Sequence, residues 1–483
     1  MMFTQGQFRF FVGLVCICFS MVARAERPEF RAFWVDAFHP GFKSPAQVTQ
    51  LIADVRAAHC NAIIVEVRKR GDTYYNSKIE PLAAEITPGF DPLADLIAKA
   101  HDTSKGQRLE VHAWIVAYPV WDNKTVGAPP KHPYSLHRDW LTKNDTGEMW
   151  DGTAYAFDPG HPGVQNYLYD VCLEIISRYD IDGFQFDHIR YDNNSFGYND
   201  TTVARFNAQF GRTGQPPKLD KDWLQFRRDQ VTALVRKVYL NAIALKPQIK
   251  ISAACNSRAP GVTTIAQWPK SAAYSSTLQD WRAWLEEGMI DAVMPMTYFR
   301  EEKWAGAWQA WTTFEKDYSY HRKVVIGPGL YLNNVSNALA QIHSTRVPSA
   351  KGNLPYGVAL YCYSELSAEK IAREKFFQAL TESSSFGRYP VFPMAVPVPP
   401  LPWKTQPTKG HLKGFAYDAT GRPLDGAKIT IYGPIERTVL TDATGFYGAV
   451  DLPPGKYDVS AAFGSSEMPT PAQVEIKAGK VAT

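Results

Sequence analysis

Residues 182–191 read Asp182-Gly183-Phe184-Gln185-Phe186-Asp187-His188-Ile189-Arg190-Tyr191. The run opens on a turn, continues apolar, and ends in charge. A strand buried on both faces of a parallel sheet has this near-continuously apolar character. Working outward, seven more runs share it: Phe30–Phe38, Ala62–Arg68, Leu109–Tyr118, Ile249–Asn256, Ala292–Phe299, Val324–Tyr331 and Gly357–Tyr363. Helical patterns lie between them. Val164, Leu168, Val171, Cys172, Ile175, Ile176 and Tyr179 recur at helical spacing and mark one buried face. Ser44-Pro45 and Asp91-Pro92 each set a cap residue before a proline suited to a first helical turn. Gly288 follows Trp281–Glu287 where a helix stop is expected. Eight β-then-α units in order predict an α/β fold, a closed (β/α)8 barrel over residues 28–382. An open doubly wound sheet is the alternative, but no glycine-rich phosphate loop follows the first strand.

The flanks differ in character. Arg9 precedes an apolar stretch from Phe10 to Val22, and Ala23-Arg24-Ala25 fits a small-x-small cleavage site. Residues 1–25 therefore read as a signal peptide, and the protein as exported to the periplasm, the cell surface or the medium. Residues 383–409 hold seven prolines, four of them Pro397, Pro399, Pro400 and Pro402, and read as a stiff, extended linker. Short β runs then fill residues 410–483, separated by turns such as Asp442-Ala443-Thr444-Gly445 and Pro453-Pro454-Gly455. They predict a small antiparallel sandwich.

With 483 residues, 45% hydrophobic and 21% charged, the chain has the composition of an ordinary globular protein of two or three domains. A formal charge of +4 implies no nucleic-acid partner. The 13 Trp, 24 Tyr and 26 Phe residues supply rings for stacking on sugars, or simply for a large core. Cys60, Cys172, Cys255 and Cys362 lie far apart, without metal-binding spacing; they read as buried thiols, with one disulfide open to an exported chain. No cofactor and no metal are expected.

In such a barrel, chemistry sits at the C-terminal ends of the strands. The polar residues there are Asp36 on strand 1; Glu66, Arg68 and then Asp72 on strand 2; His112 and Trp114 on strand 3, with Trp121 beyond; Asp187, His188, Arg190 and Tyr191 on strand 4; Asn256 on strand 5; Tyr298 and Glu301 on strand 6; Tyr331 on strand 7; and Tyr363 and Glu365 on strand 8. Glycoside cleavage needs such a set: an acid, a second carboxylate as nucleophile or base, and aromatic walls. Asp187 is the first candidate, since an ionised carboxylate closing an apolar strand needs a partner that Arg190 or His188 can supply. Glu66 is either the catalytic acid or half of an ion pair with Arg68. Glu365 and Glu301 are further candidates for the second carboxyl. The remaining residues are candidate substrate contacts, with loop fixing or core packing as the competing use of each.

At these residues the chain resembles the bacterial glycosyl-hydrolase-like family 10. The resemblance rests on Phe30-Arg31-Ala32-Phe33-Trp34-Val35, Arg70-Gly71-Asp72-Thr73-Tyr74-Tyr75, Val111-His112-Ala113-Trp114, Phe157-Asp158-Pro159-Gly160-His161-Pro162 and Asp182–Asp187, in that order. It implies a barrel, export and glycosidase activity on a polysaccharide. Members of that family include enzymes that cut peptidoglycan glycan strands lacking stem peptides. It carries Asp187 over as the acid closing the fourth strand and leaves the second carboxyl unassigned. The C-terminal part resembles the carboxypeptidase-regulatory-like (transthyretin-like) sandwich at Gly421-Arg422-Pro423-Leu424, Gly426-Ala427, Thr441–Gly445 and Pro454-Gly455-Lys456-Tyr457. The competing functional class is a non-catalytic glycan-binding protein on the same barrel.

Overall fold

The computed structural model describes residues 27–387, 389–464, 466–467 and 471–483, so the signal-peptide reading of residues 1–25 lies outside the described residues. Eight parallel strands form a closed barrel: β1 (Phe30–Val35), β2 (Ala62–Arg68), β3 (Glu110–Val116), β4 (Gly183–Asp187), β5 (Lys250–Asn256), β6 (Ala292–Thr297), β7 (Lys323–Pro328) and β8 (Gly357–Leu360). Each pairs with its neighbours in sequence, and β8 closes on β1. All eight expected strands are present. Several end earlier than expected, because the polar residues past Val116, Asp187 and Leu360 already belong to the mouth loops.

The longer helices are α1 (Pro45–Ala57), α2 (Pro92–His101), α3 (Pro162–Arg178), α4 (Asp200–Phe210), α5 (Lys221–Leu245), α6 (Trp281–Glu287), α7 (Glu301–Asp317), α8 (Val335–Thr345) and α9 (Arg373–Thr381). Ser44 and Asp91 accept hydrogen bonds from the Gln47 and Ala94 amides at the starts of α1 and α2. Gly288 ends α6 in the left-handed region at φ 89°. Residues 117–161 form a long excursion between β3 and α3, stiffened by an antiparallel ribbon of Pro119–Trp121 against Tyr155–Ala156.

The deciding strand, β4, divides its residues by face. Phe184 and Phe186 point outward into the core beneath the helices. Gly183, Gln185 and Asp187 point inward, as the period of two requires. Inside the barrel, Trp34 Nε1 donates to Gln185 Oε1 at 2.6 Å, and Gln185 Nε2 reaches Met294 Sδ at 2.9 Å. This buried layer is the floor beneath Asp187. Lower down, Gly183 leaves room for the His112 ring: a Cβ there would lie 2.1 Å from Nδ1.

The proline-rich segment, expected to be a linker, is extended but docked. It lies across the N-terminal end of the barrel. The Glu29 amide donates to the Pro397 carbonyl, and Asn61 Nδ2 to that of Val396. Leu401 packs with Phe30 and Tyr356 in the inner core, and Lys404 and Trp403 bind the buried Asp291 at 3.0 and 2.7 Å.

The C-terminal unit has two sheets. One contains β9 (Gly410–Phe415), β12 (Phe446–Leu452) and β15 (Val481–Ala482). The other contains β10 (Lys428–Tyr432), β11 (Glu436–Leu440), β13 (Gly455–Phe463) and β14 (Ala472–Ile476). Leu412, Ile429, Ile431, Leu452 and Tyr457 fill the space between them. The sandwich packs on α5, and Phe446 and Val450 join the barrel's outer core. Arg205 grips Asp425 with both Nε (2.6 Å) and Nη2 (2.7 Å), and Arg322 pairs with Asp451 at 2.8 Å. Cys60, Cys172, Cys255 and Cys362 are buried free thiols. Among the described residues, no helix is long and apolar enough to cross a membrane, and no cluster of three or more His, Cys, Asp or Glu could hold a metal ion.

Candidate active site

Asp187 ends β4 on the inner face and is 6% exposed at the mouth. The chain turns sharply after it: His188 lies at φ 46°, a left-handed conformation uncommon for residues other than glycine. The turn brings the His188 amide to Asp187 Oδ1 at 2.6 Å, where Arg190 Nη1 also donates at 3.1 Å. Burial raises the Asp187 carboxyl, but the Arg190 guanidinium and the hydrogen bond from the His188 amide oppose it, and the group lies below its ordinary value. Asp187 is therefore a carboxylate. His188 is the reverse case. Burial, with the Arg190, Arg70 and Arg258 charges, pushes its imidazole down to about 3, against the pull of Asp187. It is neutral at physiological pH.

Glu66 sits inside β2, in register with Trp114 of β3. Its side chain is fully buried, and Oε2 accepts from the Ala37 amide at 2.7 Å. Its Oε1 has no partner among the described residues. Burial pushes the carboxyl up to about 8; the Ala37 bond and Arg70 oppose this, and Asp36 and Asp187 add to it. Two carboxyl groups facing one mouth thus rest in opposite protonation states at neutral pH, the pattern that separates acid from base in paired-carboxyl enzymes.

Tyrosines line the other side of the mouth. Tyr298 stacks on Tyr361 with centroids 5.0 Å apart, Tyr331 meets Tyr361 edge-on at 5.9 Å, and all three are half-buried. Tyr361 in turn meets the edge of Trp34 at 6.1 Å. Asp36 also belongs to the mouth, but its carboxylate is engaged. It accepts from the Phe38 and His39 amides and from Ser364, and it pairs with His39 at 2.8 Å. Asp72 accepts from the Arg70 amide, and Asn256 Nδ2 donates to Thr277. Trp114 is 5% exposed on the inner face, and half-buried Trp121 stacks on Tyr134 in the excursion. Glu365 is exposed on the loop after β8.

Three expected contacts and one candidate catalytic carboxyl, Glu301, lie away from the mouth. A bulge between Glu66 and Arg68 shifts the register, so Arg68 pairs opposite the outward-facing Ile115. Arg68 is fully buried on the outer side with Glu80 and does not pair with Glu66. His112 is one inward step below Trp114, in the barrel interior, bonded to Glu110 at 3.1 Å. Tyr363 lies beyond the end of β8, where strand alternation no longer applies; it packs behind the barrel and donates to Asp54 at 2.7 Å. Glu301 opens α7 and accepts from Gln341 on α8 at 2.9 Å, facing the helix layer. Two residues outside the expected set belong to the site: Gln185 in the floor and Arg70, whose charge acts on both Glu66 and His188; Tyr361, at the expected end of the eighth strand, stands in the wall. Period-two counting back from Asp187 reaches Gln185; nothing in the local sequence singles out Arg70.

A family model described as Glycosyl hydrolase-like 10 matches residues 29–345. The chain belongs to this family. A second model, the carboxypeptidase regulatory-like domain, matches residues 411–483. Relatives of this glycosyl hydrolase-like 10 chain include glycosyl hydrolase DigH of Escherichia coli K12, 27% identical over 269 aligned positions, the match covering 50% of this chain and 54% of DigH. Glycosyl hydrolase YngK of Bacillus subtilis is 26% identical over 328 aligned positions, the match covering 60% of this chain and 59% of YngK. The chain thus spans just over half the length of these curated relatives. Among solved structures, the PgaB (BpsB) glycoside hydrolase domain from Bordetella bronchiseptica superposes with a TM-score of 0.54 at 13% identity, covering 74% of this chain and all of that domain. That likeness establishes a shared barrel fold.

Proposed function

We propose that the protein hydrolyses O-glycosidic bonds of a polysaccharide outside the cytoplasm, with Asp187 as the ionised carboxylate and Glu66 as the proton-bearing acid. The observation that carries this reading is the opposite protonation of Glu66 and Asp187 at one tyrosine-lined mouth. Glu66 gives its proton to the departing glycosidic oxygen, and Asp187 supports the carbon being freed, as nucleophile or as base toward water. A buried protonated carboxyl with one unpartnered oxygen lacks a neighbour that a substrate oxygen would supply. Tyr298, Tyr331 and Tyr361 offer ring faces to the sugar. Peptidoglycan strands without stem peptides are the first substrate to try, on the strength of the family resemblance. Export is supported by the apolar N-terminal stretch and Ala23-Arg24-Ala25.

The test is incubation with defined glycans, peptide-free peptidoglycan strands among them, and mass spectrometry of the products. Asp187→Asn should lower turnover by about 10²–10⁴-fold while glycan binding persists. The complete burial of Glu66 favours a second reading, a barrel that binds glycan without turnover. Binding by the unaltered protein with no product from any glycan would establish that one.

A further inference from the structure

The loop after β1 carries an open ring to the rim of the mouth. Phe38 is 52% exposed, although it directly follows Ala37, whose amide anchors the buried Glu66 carboxyl. Single apolar residues on a surface are ordinary. This one is held in place. Its amide donates to Asp36 Oδ1 at 2.9 Å. Its ring centroid lies 5.2 Å from Lys69 Nζ and 5.4 Å from the Arg70 guanidinium carbon, both on the loop after β2. Neither cation is a loose surface charge, since each side chain is only 16% exposed. Lys69 is itself pinned between Glu85, at 3.4 Å, and the buried Tyr74 ring, at 5.5 Å.

A partly desolvated cation beside an aromatic ring favours one placement of that ring. Phe38 is thus fixed from its backbone and from its side chain, with about half of its surface in water. A ring ordered in advance loses little entropy when a ligand covers it. A pyranose suits such a ring, because its C–H groups form an apolar face while its hydroxyls point to the sides and stay hydrated.

Position decides which sugar of a chain would cover it. Round the barrel, β1 lies beside β2, which carries Glu66, and three strands from β4, which carries Asp187. A glycan lying across the mouth therefore reaches Phe38 with the unit on the Glu66 side of the bond between its sugars. Where Glu66 protonates the departing oxygen, that unit is the leaving group.

We propose that Phe38 is the platform for the sugar on the leaving-group side of the bond, with Lys69 and Arg70 holding the ring in position. The proposal rests on the hydrolase reading of the mouth and adds a residue that sets its specificity: the chain must continue as a sugar past the bond that is cut. Binding energy from that unit then contributes to cleavage of the bond beside it.

Calorimetric titration of the Asp187→Asn protein reads binding without turnover, with chitohexaose, cellohexaose and peptide-free peptidoglycan strands as probes. Phe38→Ala should weaken the best-bound probe about three- to tenfold, the size of one aromatic contact. Phe38→Trp, which keeps a ring, should restore binding, and Phe463→Ala, which removes a ring of like exposure on the sandwich, should leave it unchanged. Thermal melting confirms that each variant is folded. Where a probe is cleaved, its glycosyl fluoride gives a second readout, because fluoride departs with no sugar on the Glu66 side. In the protein with Asp187 intact, Phe38→Ala should lower kcat/KM on the oligosaccharide about tenfold and leave fluoride release unchanged. Unaltered affinity in Phe38→Ala, or equal losses on the oligosaccharide and the fluoride, overturns the proposal. Failure of every probe to bind defeats the glycan reading of the mouth and the platform with it. Ring-dependent binding with no product from any probe upholds Phe38 as a glycan contact and defeats the hydrolase reading.

Discussion

At the scale of single residues, the site depends on one carboxyl held neutral beside one held ionised. Glu66 is buried with its carboxyl pushed up to about 8, so the folded protein keeps a proton there that the unfolded chain, with an ordinary Glu value of about 4.3, has lost. Stability falls with pH wherever the folded state binds more protons than the unfolded one. This group therefore lowers stability progressively between about pH 4.5 and 8 and adds no further slope above that. Glu66→Gln, neutral at every pH, should lack this slope: its melting temperature relative to the parent protein should rise as the buffer is taken from pH 5 to pH 8. Parallel melting curves would show that Glu66 is ionised in the fold. If Glu66 is also the acid, activity should decline above about pH 8 as its proton leaves, and the rate profile checks this. Asp187 was legible in the sequence because an apolar strand ending in charge marks a mouth. Arg70 was not, because its action on Glu66 and His188 depends on how the loop after β2 folds back.

At the scale of elements, β4 works because its two faces differ. Phe184 and Phe186 anchor it to the helix layer, while Gly183, Gln185 and Asp187 give it an inner face with room, a polar floor and a charge. Gly183 is the tightest point, since any side chain there meets the His112 ring. Gly183→Ala should cost about 1–3 kcal/mol, as overpacking of a filled core does, and reduce activity by displacing the strand that carries Asp187. Chemical denaturation measures the first effect and the glycan assay the second. Alternation read along β2 puts Glu66 and Arg68 on one face. The bulge between them turns Arg68 outward, and a single extra residue of that kind carries no compositional mark. The end of β8 has the same effect on Tyr363, which the inward count places in the mouth and the structure places against Asp54.

At the scale of the whole molecule, the proline-rich segment and the sandwich do different work. Residues up to Thr405 cover the bottom of the barrel with Leu401 and satisfy the buried Asp291 through Trp403 and Lys404. The sandwich covers α5 and is tied on by Arg205–Asp425 and Arg322–Asp451. A chain ending at Thr405 should remain soluble and melt at a lower temperature than the full chain. One ending at Ser385 should aggregate, because Phe30 and Tyr356 lose their cover and Asp291 loses the Lys404 ion pair and the Trp403 hydrogen bond, keeping only the Ile251 amide and the Tyr239 hydroxyl. Soluble yield and thermal melting of the two truncations test this. Equal behaviour would mean that the segment is a mere connector.

The sequence alone determined the order and type of the eight β/α units, the helix caps at Ser44 and Asp91, the separate C-terminal sandwich, and the presence of a carboxylate at the end of the fourth strand. These depend on periodicity, on local backbone chemistry and on polarity along a short run, all of which act between near neighbours. Only the tertiary structure decided which acids share the mouth, that Arg68 and His112 are spent inside the protein, and that the prolines seal the barrel floor. Those outcomes follow from strand register, burial and the sum of charges brought together from distant parts of the chain, and no local stretch of residues carries that information.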